Sequence, residues 1–135
     1  MRFLDTNILL YSISTDRAEA RKQAIAVNLI DGADNALSVQ VLQEFYVQAT
    51  RAGRQNPLSH DVAVELIGTW LRFPIQETTI AVMSCALSIK SEFGFSYWDS
   101  AIVAAAQALG CSELCSEDMS HGVRVGDLTI HNPFR

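Results

Sequence analysis

Short apolar runs alternate with longer amphipathic ones along this 135-residue chain, and that alternation leaves few folds open. Arg2 to Asp5, "NALSV", "FPIQET", "CSELC" and "LTIHNPF" read as strands or brief extended pieces. Between them lie helical patterns with their own start and stop signals. Asp16 to Asp31 reads as a helix with Asp16 as N-cap and Glu19 as its capping-box partner. Ser38 caps "VQVLQEFYVQATRAG", which stops at Gly53, and Pro57 marks a break before "SHDVAVELIGTWLR". "IAVMSCALSIKSEFG" stops at Gly94, Ser96 caps the Ala-rich "YWDSAIVAAAQALG", and Gly110 ends it. Strands separated by helices pair in parallel through crossovers, so the expectation is an α/β layer fold with helices covering a sheet.

The chain has the size for one core. With 49% hydrophobic residues it reads as a single domain over 1–135. The apolar run Ala101 to Ala106 is far shorter than the roughly 20 residues needed to span a bilayer. Asp5 and Asn7 interrupt the only stretch a secretory leader could use, so a cytoplasmic protein with no membrane association is expected. Cys85, Cys111 and Cys115 form an odd set and read as buried thiols; with His121, two of them lack the paired spacing of structural zinc sites. Acids outnumber bases by 15 to 10, which argues against coating nucleic acid by bulk charge while allowing a local basic rim. Arg17, Arg21 and Lys22, and Arg51 and Arg54, are the candidates for such a rim, against the plainer reading of solvated helix surface.

Four acids stand where open parallel sheets bind ligands, in the crevice beyond the carboxyl ends of the strands. Asp5 ends the first strand, Glu44 lies in the helix leaving the second, Asp99 sits in the first turn of the Ala-rich helix, and Asp118 follows "CSELC". Asp5 and Asp99 also read as helix caps and Asp118 as a turn former. Glu44 is harder to explain away. Its neighbours Val41, Phe45, Tyr46 and Val47 put it at the border of an apolar stripe, with no Lys or Arg three or four residues away. Converging carboxylates raise one another's pKa unless a cation lies between them. An all-oxygen donor set without clustered His or Cys suits Mg²⁺ or Mn²⁺, and phosphodiester hydrolysis is the chemistry such ions serve.

"LDTNILLY", "LQEFYVQATR", "SYWDSAIVAAAQALGC" and "CSEDMSHG…LTIHNPF", in this order from Arg2 to Phe134, resemble the PIN-domain ribonucleases, most nearly the VapC-type toxins of toxin–antitoxin pairs. The resemblance implies a PIN-like three-layer α/β/α sandwich with a short central parallel sheet. It implies Mg²⁺- or Mn²⁺-dependent cleavage of single-stranded regions of RNA. Asp5, Glu44, Asp99 and Asp118 would be the catalytic, metal-binding acids, with Thr6 and Asn7 hydrogen-bonding the carboxylate, metal waters or phosphate. Glu117 competes with Asp118 for the fourth position; Asp118 is favoured. Such proteins form homodimers through helices like the stretch Asp61 to Arg72, where core packing is the alternative, and bind a small antitoxin that fills the groove. Trp98 is either a base-stacking residue or, by preference, a packing one, and His121 reads as a loop residue.

Rival α/β classes fit less well. A haloacid-dehalogenase-like phosphatase wants an acid where Asn7 stands, and a phosphoacceptor receiver wants a late lysine, whereas the only lysines are Lys22 and Lys90. A non-catalytic RNA-binding or assembly module, or a DNA nuclease of the same fold, stays open.

Overall fold

The computed structural model describes all residues, Met1–Arg135. The chain runs β1 (Arg2–Leu4), α1 (Thr6–Ser12), a 3₁₀ turn at Arg17–Glu19, α2 (Ala20–Ile30), β2 (Asn35–Ser38), α3 (Val39–Thr50) and α4 (His60–Trp70). It continues through β3 (Ile75–Gln76), α5 (Ile80–Phe93), α6 (Tyr97–Ala108), β4 (Glu113–Cys115), β5 (Arg124–Val125) and β6 (Leu128–His131). The strands form one sheet in the order β3-β2-β1-β4-β6-β5. All neighbours pair in parallel except β5, which runs antiparallel to β6.

The central strands β1, β2 and β4 can be short because most of their residues are buried. Phe3 and Leu4 of β1, Ala36 and Leu37 of β2, Leu114 and Cys115 of β4, and Ile130 of β6 are all fully buried. Helix α6 can lie close on this sheet because its inward residues are small: Ser100 to Ala106 are all buried, and the helix contacts β2, β3 and β4. Helix α5 packs along α6, while α1 packs on α2 and α3. Phe45 of α3 meets Trp70 of α4 edge-on, ring centroids 4.7 Å apart. No helix is long and apolar enough to cross a membrane.

Several local expectations are corrected. The segment Asp16 to Asp31 opens as a 3₁₀ turn, because Asp16 caps Ala18 N at 2.9 Å while Glu19 is captured by the Ser14 hydroxyl at 2.6 Å and so closes no capping box. Helix α3 ends at Thr50, three residues before Gly53, with extended backbone at Arg51. Gly94 does cap α5, in the left-handed conformation at φ 75°. The sheet is not wholly parallel: Val125 and Leu128 pair across a two-residue hairpin whose Gly126 takes φ 60°. Of the cysteines, Cys111 and Cys115 are buried but Cys85 is only half-buried.

Candidate active site

Strand order turns around β1. From β1 the chain moves to β2 and β3 on one side, then returns to place β4 on the other. The crevice at the carboxyl ends of β1 and β4 is therefore a topological switch point, where the connecting segments diverge and leave room for a ligand. Asp5 directly follows β1, and Ser116, Glu117 and Asp118 directly follow β4.

Asp5 is both cap and buried anion. Its Oδ1 accepts the Thr6 backbone N–H at 2.7 Å, opening α1, and its Oδ2 accepts the Ser116 hydroxyl at 2.7 Å. Only 4% of the residue is exposed. Burial pushes its carboxyl up to about 7; the bonds from Ser116 and Thr6 oppose the rise, and the charges of Glu44 and Asp99 add to it. Glu44 projects from α3 beside α1. The Thr6 hydroxyl donates to its Oε1 at 3.4 Å and the Gln40 amide at 3.1 Å. Gln40 also donates to the Trp98 carbonyl at 3.2 Å, tying α3 to the first turn of α6 and hence to Asp99. Burial raises the Glu44 pKa, with Asp99 contributing, and burial raises that of Asp99, with Asp118 contributing.

Asn7 serves Asp118, not Asp5. Its amide donates to Asp118 Oδ2 at 3.2 Å, and its carbonyl oxygen accepts the Glu117 backbone N–H at 3.4 Å. Glu117 is drawn away into another group. Lys22 pairs with its Oε2 at 2.5 Å and the Tyr11 hydroxyl donates to its Oε1 at 2.5 Å. Burial works to raise the Glu117 carboxyl, but these two partners outweigh it and hold the carboxyl below its usual value. The neighbouring acids are thus separated by environment: Glu117 is neutralised and Asp118 stands exposed without a cation.

Asp5, Glu44 and Asp99 are accordingly close enough to influence one another's ionisation, and Asp118 joins them through Asp99. None of the four has a Lys, Arg or His partner; the chain's two ion pairs are Met1 with Asp34 and Lys22 with Glu117. Uncompensated carboxylates with oxygen donors only fit a hard divalent cation such as Mg²⁺ or Mn²⁺. No three His, Cys, Asp or Glu side chains are gathered tightly enough to chelate an ion by themselves.

Other expectations fare unevenly. Trp98 is not a packing residue: it is 65% exposed, meets Tyr97 edge-on at 5.0 Å, and lines an open hollow with Gln40, Gln43 and Glu44. His121 is an exposed loop residue whose Nδ1 accepts the Asn132 N–H at 3.0 Å. Within α4, Ala63 and Trp70 enter the core while Val62 and Val64 face outward. Arg21 donates to the Phe134 carbonyl at 2.9 Å and Lys22 is taken by Glu117, so neither is a free rim residue. Ser116 and Gln40 were not singled out in the sequence. The one available signal was their place: Ser116 between a strand end and an acid pair, Gln40 one turn before Glu44.

The architecture is an α/β/α sandwich with an acidic crevice at its switch point. The PIN domain family model matches residues 2–121, and the chain belongs to that family. No curated protein sequence matches it. Among solved structures it superposes on a toxin–antitoxin complex from Klebsiella pneumoniae with TM-score 0.69 at 20% identity, covering 98% of each chain. VapC20 of Mycobacterium tuberculosis, described as a sarcin-ricin loop cleaving toxin, gives TM-score 0.65 at 17% identity over 84% of this chain and 87% of that one. VapBC2 from Rickettsia felis, bound to a DNA fragment from its promoter, gives 0.65 at 18% identity over 97% of each.

Proposed function

We propose that the protein is a VapC-type endoribonuclease toxin of the cytoplasm, hydrolysing phosphodiester bonds in single-stranded RNA with Mg²⁺ or Mn²⁺ and held in check by a cognate antitoxin. The observation that carries the proposal is the convergence of Asp5, Glu44 and Asp99 at the switch point with raised pKa values and no cation of the chain to balance them. A cluster of this kind costs folding free energy unless something cationic uses it.

Bound there, a divalent ion would supply Lewis-acid polarisation of the scissile phosphate and activation of the attacking water. Asp5 is the fixed anchor, since Thr6 N–H and the Ser116 hydroxyl set the plane of its carboxylate while each oxygen keeps a further lone pair. The Thr6 hydroxyl and Gln40 amide both hold Glu44 Oε1, leaving Oε2 without a partner. Asn7 orients Asp118 through Oδ2 in the same manner. Glu117 takes the structural role, clamping Lys22 and Tyr11.

A second surface suits a second copy of the chain. Val39, Leu42, Tyr46, Val47 and Ile67 line a shallow apolar hollow of about 440 Å³ along α3 and α4, and Val47 is 60% exposed. That surface suits a homodimer contact better than a polyanion. The deciding experiment incubates purified protein with total RNA and maps new ends with Mg²⁺, with Mn²⁺ and with chelator. Cleavage that disappears with chelator and with Asp5→Asn supports the proposal. RNA binding without cleavage makes the chain a binding module, and cleavage of single-stranded DNA in preference to RNA makes it a DNA nuclease.

A further inference from the structure

Two adjoining polar hollows lead away from Asp118. The first, about 250 Å³, is lined by Asn7, Leu10, Tyr11, Glu19, Arg54, Glu117 and Asp118. The second, about 210 Å³, is lined by Ile13, Ser14, Thr15, Asp16 and Gln55 and again by Glu19 and Arg54. The shared residues make them one groove. Arg54 is the only Lys or Arg lining any of the five main hollows of the molecule.

Its guanidinium is also uncommitted. Glu19, across the groove, is bonded to Ser14 and lies beyond ion-pair distance of Arg54, and Arg54 makes no side-chain hydrogen bond. Yet the backbone beneath it is held firmly. Arg54 N–H closes a turn on the Arg51 carbonyl at 3.1 Å, and Leu58 N–H returns to the Ala49 carbonyl at 2.8 Å. Asn56, in the left-handed region at φ 52°, donates its amide to the Thr15 hydroxyl at 2.7 Å, pinning the loop across the groove. The guanidinium is half-buried, in no ion pair and set on a hydrogen-bonded loop, so it is free to pair with an anion entering the groove.

We infer that Arg54 binds a backbone phosphate of the RNA strand flanking the scissile bond, the strand running from Asp118 past Asn7 and Tyr11 to Gln55. This rests on the nuclease activity proposed above. Hydroxyl and amide side chains at Ser14, Thr15, Asn7 and Gln55 match a sugar–phosphate backbone, and because Asp16, Glu19, Glu117 and Asp118 also line the groove, Arg54 is the one lining side chain that attracts a phosphate. One strand phosphate paired with one arginine releases one counterion share, so the contact has a salt signature.

The test uses a fluorescein-labelled single-stranded RNA of mixed sequence. Affinity is measured on the Asp5→Asn background as a function of salt, and steady-state cleavage on the otherwise wild-type chain. Arg54→Gln is expected to weaken RNA affinity about fivefold to tenfold and to flatten the slope of log K against log salt by about 0.7. It should raise KM by a similar factor with kcat changed less than about twofold, and Arg54→Lys should restore part of the loss. Arg54 is on a surface loop, so matching thermal melts will show that both variants fold. Unchanged affinity and salt slope in Arg54→Gln, with metal-dependent cleavage intact in the parent, overturns the inference and leaves the nuclease standing. Loss of antitoxin binding alone overturns it in favour of a protein contact. A wild-type chain that neither binds nor cuts RNA removes the activity itself and the inference with it.

Discussion

Ser116 donates its hydroxyl to Oδ2 of Asp5 at 2.7 Å across 111 positions of sequence, joining the carboxyl ends of β4 and β1 within the core. Both residues are buried, so this bond favours the anion of Asp5 against the burial that opposes it.

Ser116→Ala removes a donor that favours the ionised carboxylate, so the Asp5 pKa is expected to move further above about 7. The acid limb of the cleavage pH profile should shift upward, with activity lost first on its acid side. A kcat/KM profile at saturating Mg²⁺ checks this. An unshifted limb with uniformly lower activity would mean that Ser116 matters only for packing.

Asp5 also sets a pH dependence of stability. Its carboxyl binds a proton more tightly in the folded chain, at about 7, than in the unfolded chain, where an aspartate titrates at about 3.9. The stabilisation is therefore fully present below the unfolded pKa and is lost as pH rises through about 7. Metal-free protein should be more stable at about pH 5 than at pH 8, by roughly 2.7 kcal/mol at most from this group. Asp5→Asn should flatten the trend, and Mg²⁺ should recover stability at the alkaline end. Calorimetry in chelator across that range is the measurement.

The two neighbouring acids should separate cleanly. Asp118→Asn is expected to reduce cleavage by about 10² or more, as for loss of a group acting on the reacting phosphate. Glu117→Gln frees Lys22 and Tyr11 instead and should lower activity less than about fivefold, with a stability cost of roughly 1 kcal/mol. Paired kinetics and urea melts distinguish them; equal losses of activity would overturn the assignment.

The two tryptophans differ as sharply. Trp70, 4% exposed and packed on Phe45, should cost about 3–5 kcal/mol when replaced by Ala. Trp98→Ala should leave stability within about 0.5 kcal/mol, because 65% of the residue already faces solvent. Chemical denaturation of both variants is sufficient.

Much of this architecture could be read from the chain because local and global signals agree. Asp5 was legible because an apolar strand stops on an acid, and Glu44 because a charge on an apolar stripe with no nearby cation needs an explanation. What failed were questions of competition and facing. Whether Glu19 caps Asp16 depended on a rival donor, Ser14, closer in space. Whether Trp98 packs depended on which side of α6 meets the sheet, and its position beside the Ser96 cap does not say. Strand β5 is two residues long and exists only through its pairing with β6, although Gly126 and Asp127 between Val125 and Leu128 are a hairpin signal. Ser116 carries no motif at all; only the register of β1 on β4, Leu4 against Cys115, brings it to Asp5.

Divalent-ion binding in the crevice formed by Asp5, Glu44, Asp99 and Asp118 is the central proposal, and direct metal titration reaches it most closely. Mn²⁺ added to the metal-free chain, with free ion counted by electron paramagnetic resonance, should bind to the wild type and be displaced by Mg²⁺. Asp5→Asn, Glu44→Gln and Asp99→Asn should each weaken that binding by at least about tenfold. A wild-type chain that leaves Mn²⁺ free in solution with RNA present, or three variants that hold it as well as the parent, would contradict the shared site.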